Sequence, residues 1–463
     1  MPSSGAVYRP FPSSRGWASL VAILCLVCRA GFSAEEKAEE KAPRTLSAME
    51  KDLRQAMAAQ DPRRAQALLD EMVATGDPQA YDMMIKHALT GVSYAIEKHA
   101  GSLLLGAKDP KVRDKILAGC LKNPNHKTRI ILLAVAARLK DDPKVVSTIQ
   151  AAVKDPMKPV AFAALQWIRE LNRKECVEPL IAELGVREKK GADRLYFDIR
   201  RTLKHLTSFD LESAKDWENF WEAQKQGLMK PAKPVESRTT LVKRPSFFSV
   251  MVDSDRVLFV IDVSKSMDER DPFPEGSGKQ AEGSKSRGET VVAKKQKPKE
   301  TPKAAKLPLS RERLTRVKEE LIRVVSGLPV STQFGILSFS HELAYVWDAR
   351  VLRNATQENR AAAVNWVKNL KPYGATRTDL ALKEALSVPE VDTIIVLTDG
   401  APRDEKNKPM EIQPILAFAK EANRFVRARI LTISFQQIRD KRMVELVREL
   451  ARQNDGGAPT LLP

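Results

Sequence analysis

Two aspartates, each accompanied by hydroxyl side chains, are the residues of this sequence best suited to chemistry. Asp262 is followed at alternate positions by Ser264 and Ser266, and a second group is Thr398-Asp399-Gly400. Between them lies Gly374-Ala375-Thr376. Hard divalent cations prefer small oxygen ligands, and two carboxylates would neutralise the charge of such an ion. The carboxylates and hydroxyls of these three motifs therefore fit one hard cation.

These residues lie where predicted strands end. The apolar run 256–262 ends at Asp262, and the run 393–399, apolar enough for a buried central strand, ends at Asp399. Strands alternate with amphipathic helices over this half of the chain, which predicts a doubly wound α/β domain with a mostly parallel sheet. In such sheets ligands bind outside the carboxyl ends of the strands. We therefore expect the three motifs to meet at one edge.

The same periodicity predicts the other elements of this domain. A helix is expected from about residue 311, and a second from 359 to 370. Further strands are expected at 333–340, 342–348 and 429–435, and a last helix at 439–453.

In their order along the chain, D-x-S-x-S, G-x-T and T-D-G resemble the metal-ion-dependent adhesion site of von Willebrand factor A domains. The resemblance covers roughly 256–463. Matched residue by residue, it implies Asp262, Ser264, Ser266, Thr376 and Asp399 as the ligands of Mg²⁺, with Mn²⁺ or Ca²⁺ as alternatives. Both serines would bind the ion directly, and Thr376 and Asp399 directly or through water. It also implies that an Asp or Glu of a partner protein completes the shell of the ion. The chain departs from the family at Ala375, where many members have glycine, and in an insertion after the metal loop.

The segment 46–228 has apolar residues three and four positions apart, which predicts helix after helix. Two stretches of similar pattern begin at Lys127 and Lys158, and their offset of 31 residues is typical of helix-pair repeats. This region resembles divergent HEAT-like repeats. It is either a concave scaffold that grips a partner or a compact bundle that spaces the second domain, and the sequence leaves both open.

The first residues resemble an export signal. Arg9 and Arg15 precede the apolar run 17–28, and small residues follow. We expect a signal peptide at 1–34, followed by a linker at 35–45, with an uncleaved membrane anchor as the alternative. The expected location is outside the cytoplasm: secreted, periplasmic or at the cell envelope.

Two further segments carry no apolar period. We expect a linker at 229–250, and a Lys-rich, disordered insertion at 268–306 within an α/β domain spanning 251–463. The insertion is either a solvated linker without function, or an electrostatic tether to an anionic surface or a cover over the adjoining metal site. The chain carries a formal net charge of +18, which favours anionic partners, whereas 6% aromatic residues argue against a nucleic-acid groove.

Enzymatic motifs are missing from the sequence. There is no zinc-binding His-Glu helix, no serine nucleophile elbow and no phosphate loop, and the five histidines are scattered. Cys120 and Cys176 lie in apolar helical patterns and are expected to be buried thiols, with a disulfide between them left open. We predict a non-enzymatic, metal-dependent interaction or adhesion module. The alternative is a helical scaffold in which the metal site is structural or serves as an adaptor to a larger assembly.

Overall fold

The computed structural model describes residues 44–139, 142–227, 244–271, 311–347, 349–436 and 440–462. The predicted signal peptide lies outside the described residues, as does most of each predicted linker. The same is true of the insertion beyond residue 271. Among the residues described, no helix is long and apolar enough to cross a membrane.

The part of the chain before residue 228 is helical, as predicted. Its described residues form eleven α-helices: α1 Leu46–Ala58, α2 Pro62–Ala74, α3 Gln79–His87, α4 Tyr94–Gly106, α5 Pro110–Lys122, α6 His126–Ala136, α7 Pro143–Ala152, α8 Lys158–Glu170, α9 Val177–Lys190, α10 Arg194–Thr207 and α11 Ala214–Lys225.

Asp-Pro pairs begin three of these helices. Asp61, Asp109 and Asp142 each precede a proline at the first helical position, and each carboxylate accepts a hydrogen bond from a backbone amide of the first turn. Proline suits this position because it has no N–H, and an N–H at the first helical position would have no partner within the helix. The aspartate carboxylate accepts a hydrogen bond from another N–H of the first turn that has no partner within the helix.

The helices pack in two layers. Helices α2, α4, α6, α8 and α10 contact one another in succession, whereas α1 contacts α3, α5 contacts α7 and α9 contacts α11. The two similar stretches found in the sequence correspond to α6 with α7 and α8 with α9. A helical region is therefore confirmed, while its kinship to HEAT-like repeats stays a prediction. Cys120 and Cys176 are buried and free, so the disulfide left open does not form.

The second half of the chain is an α/β domain. Its strands are β1 Ser246–Phe247, β2 Val250–Met251, β3 Arg256–Asp262, β4 Gln333–Phe339, β5 Leu343–Tyr345, β6 Arg353–Asn354, β7 Thr393–Leu397, β8 Arg429–Phe435 and β9 Thr460–Leu462. Its helices are α12 Arg313–Gly327, α13 Gln357–Lys368, α14 Thr378–Ala385, α15 Ile412–Val426 and α16 Lys441–Gln453.

The main sheet is mostly parallel, as predicted. Its strand order is β5-β4-β3-β7-β8-β9, and β6 also pairs with β4. Strands β3, β4, β7, β8 and β9 run parallel, whereas β5 and β6 are antiparallel to β4. The strand predicted at 342–348 is shorter than expected, since β5 covers only Leu343–Tyr345.

Both faces of the sheet are covered. Along β3, Val257, Phe259 and Ile261 belong to one buried cluster, which also includes side chains of α12 and α13. The alternate residues Leu258 and Val260 belong to a second cluster with α14 and α15. This alternation is the two-residue period of a strand that is buried on both sides.

Part of the predicted linker is folded. Strands β1 and β2 form a short antiparallel hairpin, and the side chain of Phe247 is fully buried. Its ring packs edge-on against Phe259 of the central strand, with 5.5 Å between ring centroids. The α/β domain therefore includes residues before 251, which a polar, proline-containing stretch does not indicate.

Candidate metal centre

The two predicted carboxylates lie side by side at the carboxyl edge of the sheet. Strand β3 ends at Asp262, and its neighbour β7 ends two residues before Asp399. The strands are parallel and Ile261 is paired with Leu397, so both chains leave the sheet at the same level. Both carboxylates are buried, with exposed fractions of 0% for Asp262 and 5% for Asp399.

Hydrogen bonds join four of the five predicted ligands into two adjacent groups. The Ser264 amide donates to Asp262 Oδ1 at 2.7 Å. The Ser266 hydroxyl donates to Asp399 Oδ1 at 2.7 Å, and the hydroxyl oxygens of Ser264 and Ser266 are 3.1 Å apart. The loop after β3 thus carries its two serines across to the end of β7.

The fifth predicted ligand, Thr376, is held against the same edge. A Cβ atom placed on Gly400 would lie only 2.7 Å from Thr376 Oγ1, so a glycine is needed for this close approach. The Lys265 amide donates to the Gly374 carbonyl at 3.1 Å, which ties the loop of Thr376 to the loop of the serines. All three predicted motifs therefore meet at one point of the fold.

Burial and mutual repulsion disfavour ionisation of the two carboxylates. Burial, with a further contribution from Asp399, raises the pKa of Asp262 to about 7. Burial also raises the pKa of Asp399, although hydrogen bonds from Ser266 and Arg313 oppose the shift. A cation between these groups would favour their charged forms.

Two side chains near Asp262 and Asp399 were not among the predicted ligands. The Thr398 hydroxyl donates to Asp262 Oδ2 at 2.6 Å and so orients that carboxylate. Arg313, at the start of α12, donates to Asp399 Oδ2 at 2.8 Å and to Asp271 Oδ1 at 2.9 Å. Thr398 was visible within the T-D-G motif, whereas no pattern near Arg313 connects it to a residue 86 positions away.

The donor set fits a hard cation. It consists of two carboxylates and three hydroxyls, which are the oxygen ligands that Mg²⁺ accepts, and it has no sulfur or imidazole. Elsewhere in the described part of the chain, no group of three or more His, Cys, Asp and Glu side chains gathers. His341, near the loop of Thr376, has a half-exposed side chain that packs edge-on against Tyr373.

The segment that forms this edge of the sheet matches a known domain family. Residues 257–401 match the family model of the von Willebrand factor type A domain, and this segment contains all five predicted ligands. The matched segment is about a third of the chain.

Two curated relatives match over similar lengths. Inter alpha-trypsin inhibitor heavy chain 4 of Mus musculus is 29% identical over 117 residues, covering 23% of this chain and 12% of the relative. The von Willebrand factor A domain-containing protein 3B of Homo sapiens is 29% identical over 126 residues, covering 27% of this chain and 9% of the relative. The match thus spans only a small part of each relative.

Solved structures resemble part of the chain. A von Willebrand factor type A protein from Catenulispora acidiphila is 18% identical, with a TM-score of 0.30 and coverage of 45% of this chain and 38% of that one. The PilB minor pilin from Streptococcus sanguinis is 15% identical, with a TM-score of 0.26 and coverage of 44% and 55%.

Proposed function

We propose that the von Willebrand factor type A domain of this chain binds one divalent cation and uses it to capture a protein partner. The ligands would be Asp262, Ser264, Ser266, Thr376 and Asp399. Mg²⁺ is the proposed ion, with Mn²⁺ and Ca²⁺ as alternatives. When bound, the ion would supply a coordination position for an Asp or Glu carboxylate of the partner.

One observation carries this proposal: buried carboxylates at the ends of two adjacent strands meet hydroxyl groups from the loop after β3 and from the loop of Thr376. The Ser266 hydroxyl lies 2.7 Å from Asp399 Oδ1 and 3.1 Å from the Ser264 hydroxyl, so the neutral donors already face the charged ones. Burying two carboxylates next to each other is costly unless a cation compensates them. Arg313 compensates only Asp399, and a metal ion would compensate both.

The remaining parts of the function follow from the sequence. We propose that the protein is exported and acts at the cell envelope or beyond, because its first residues resemble a signal peptide. The Lys-rich insertion, which leaves the sheet beside the metal loop, would add attraction for an anionic surface. We propose no catalytic activity, since the site offers metal ligands without an accompanying nucleophile or general base.

A second candidate is a scaffold function of the helical region. Helix-pair packing of this kind can present an extended surface to a partner. Since α4, α8 and α10 contact the α/β domain, that surface would be the other layer, formed by α1, α3, α5, α7, α9 and α11. In this case the metal site would stabilise the sheet or serve a larger assembly, and partner binding would depend on helix-face residues instead.

The first test is calorimetric titration of Mg²⁺ into the chelator-stripped full chain, compared with the variants Asp399→Ala and Asp268→Ala. Asp268 is an exposed aspartate close to the metal loop and is not a predicted ligand, so its variant is a matched control. We expect saturable one-site binding to the wild type and to Asp268→Ala, and none to folded Asp399→Ala. Absence of binding to the folded wild type would refute the metal site.

Partner capture is tested separately, with a panel of exported proteins immobilised in Mg²⁺ or in chelator. We expect binding that disappears in chelator and in Asp399→Ala. Binding that persists without metal, and is lost only when exposed residues of the helical layer are changed, would support the scaffold function and reject metal-dependent capture.

A further inference from the structure

A cleft of about 540 Å³ lies between the helical region and the α/β domain. Its walls come from α4, α6, α8 and the start of α10 on one side, and from the end of α15, the two residues before β8 and the end of α16 on the other. Since β8 begins here and the metal ligands follow the carboxyl ends of its parallel neighbours, the cleft and the candidate metal centre lie at opposite edges of the sheet. Its volume is in the range of small-molecule sites.

The charge of the cleft is strongly unbalanced. Eight Lys and Arg side chains line it, against three carboxylates, those of Glu97, Glu170 and Asp455. Pairing neutralises part of this surplus. Arg424 pairs with Glu97 and Arg169 with Asp455, and Arg194 and Arg452 pair with Asp198 and Glu449, which lie outside the lining. Four lining cations remain without an ion pair among the described residues. Such a surplus of cations in a concave site concentrates field lines and favours an anionic ligand.

Arg427 is the half-buried cation of the cleft that this surplus leaves without compensation. Among the described residues, no carboxylate oxygen lies within 4.0 Å of its guanidinium, and its Nε is buried without a hydrogen-bond partner. Its Nη1 donates to Gln166 Oε1, a neutral group. A half-buried guanidinium without a counter-ion is costly, so binding of an anion here would stabilise the native arrangement.

The pKa and the backbone conformation of Arg427 both reflect its unfavourable surroundings. Burial lowers its pKa to about 10; Asp455 and Glu170 oppose the shift, and the neighbouring cations Arg169 and Arg194 add to it. Arg427 also has a left-handed backbone conformation, with φ of 57°, which is uncommon for a residue with a side chain. The fold thus holds a charged side chain in a place that is unfavourable both electrostatically and conformationally.

Two lysines approach the same cleft from different domains. Lys98 belongs to α4 of the helical region and Lys420 to α15 of the α/β domain, and both are exposed. In the part of the chain that the structure describes, neither forms an ion pair with a carboxylate. With Arg427, which directly follows α15, they offer ammonium and guanidinium donors from two separate segments, which suits an oxyanion that accepts hydrogen bonds in several directions.

We propose that this cleft binds a small ligand through a tetrahedral oxyanion, a phosphate or sulfate group that accepts hydrogen bonds from Arg427, Lys98 and Lys420. Apolar side chains on the wall formed by α6, among them Ile131 and Val135, and the ring of Phe425 opposite would contact the rest of the ligand. The ligand would contact both domains at once, and the site is independent of the proposed metal-dependent function.

The test is calorimetric titration of inorganic phosphate, and in parallel of sulfate, into the full chain in the presence of chelator. Chelator removes any metal-mediated binding of the anion. Arg427→Asn removes the half-buried charge, and asparagine tolerates the left-handed backbone at this position. The double variant Lys98→Gln/Lys420→Gln changes only exposed residues and guards against misfolding of the first variant. Arg448→Gln, at an exposed position of α16 outside the cleft, is the control for loss of positive charge.

We expect one saturable site, weakened at least 10-fold by Arg427→Asn, at least 5-fold by the double lysine variant and less than 2-fold by Arg448→Gln. Tighter phosphate binding would indicate a phosphate ester as the natural ligand, and tighter sulfate binding a sulfate ester. Absence of saturable binding to the wild type, or equal weakening in all the variants, would overturn the proposal. Equal weakening in all the variants would mean that the anion binds to general surface charge, including that of the Lys-rich insertion.

Discussion

At the scale of single residues, burial decides the charge state of Asp392. This side chain lies just before β7, at the amino edge of the sheet, and only 4% of the residue is exposed. Its Oδ1 accepts hydrogen bonds from the hydroxyls of Ser254, at 2.6 Å, and Thr393, at 2.9 Å, while its Oδ2 has no partner among the described residues. Burial raises the pKa of Asp392 to about 7, although the nearby Arg194 opposes the shift.

The stability of the protein should therefore fall as Asp392 ionises. An aspartate whose pKa is raised in the folded state keeps its proton between about pH 4 and pH 7, whereas the unfolded chain has released it. The free energy of unfolding then decreases as pH rises through this window and becomes constant, as far as this group is concerned, above pH 7. At about 1.4 kcal/mol per pKa unit, the loss between pH 5 and pH 8 is about 2–3 kcal/mol.

Substituting Asp392→Asn tests this expectation by urea unfolding at pH 5 and pH 8. Asparagine keeps an oxygen that accepts from Ser254 and Thr393 but never ionises, so the variant should gain about 2 kcal/mol on wild type between pH 5 and pH 8. The exposed Asp210→Asn serves as the control and should show no such gain. An equal difference between Asp392→Asn and wild type at both pH values would contradict the raised pKa.

At the scale of elements, the turn after α16 depends on a glycine. A Cβ atom on Gly456 would lie 1.9 Å from the carbonyl oxygen of Ile430 in β8, and 2.8 Å from its carbonyl carbon. Both atoms belong to the backbone of a buried strand, so no side-chain movement relieves the overlap. The close approach joins the end of α16 to β8, where the Gly456 amide also donates to the Ala451 carbonyl at 2.8 Å.

Gly456→Ala is therefore expected to destabilise the protein by about 2–4 kcal/mol, because the turn must move away from the strand. The matched control is Gly106→Ala at the exposed end of α4, where an added Cβ meets nothing within 4 Å. Alanine favours helix, so the control should be neutral or slightly stabilising. Equal thermal unfolding midpoints for the two variants would show that the turn adapts without cost.

Elements that follow one strong periodicity were the easiest to predict. Strand β3 has the predicted bounds, and α13 begins and ends two residues before the predicted positions 359 and 370. The hairpin of β1 and β2 was missed, because two-residue strands show no periodicity. Strand β5 was predicted too long, because an apolar run does not reveal where an edge strand loses its partner.

At the scale of the whole molecule, a buried ion cluster joins the two domains. Asp198 of α10 accepts from Arg429 at the start of β8 at 2.5 Å, and from Arg201 at 2.6 Å. Arg429 also pairs with Asp253 at 2.6 Å, before the sheet begins. Burial opposes the charge of Asp198, but the surrounding arginines outweigh it and keep its pKa below the ordinary value. Charged residues of the helical region and of the α/β domain therefore compensate one another in one buried cluster.

Asp198→Asn should destabilise the protein by about 3–5 kcal/mol, since it leaves buried arginines without part of their compensation. The control is Lys204→Gln, which breaks an exposed ion pair with Asp210 and should change stability by less than about 1 kcal/mol. Urea unfolding followed by circular dichroism measures both. A loss below about 1 kcal/mol in Asp198→Asn would mean that the cluster does not couple the domains.

The sequence by itself determined the helical first half, the mostly parallel sheet of the second and the residues that meet at its carboxyl edge. Periodicity is a local property, and the motifs of Asp262, Thr376 and Asp399 lie at strand ends or in a loop whose direction the α/β order dictates. Metal binding, its partner and export remain proposals. Only the tertiary structure decided that Arg313 contacts Asp399, that Asp198 faces Arg429, and that a basic cleft surrounds Arg427. These contacts join residues far apart in the chain, and their proximity depends on how whole layers pack, which no local pattern encodes.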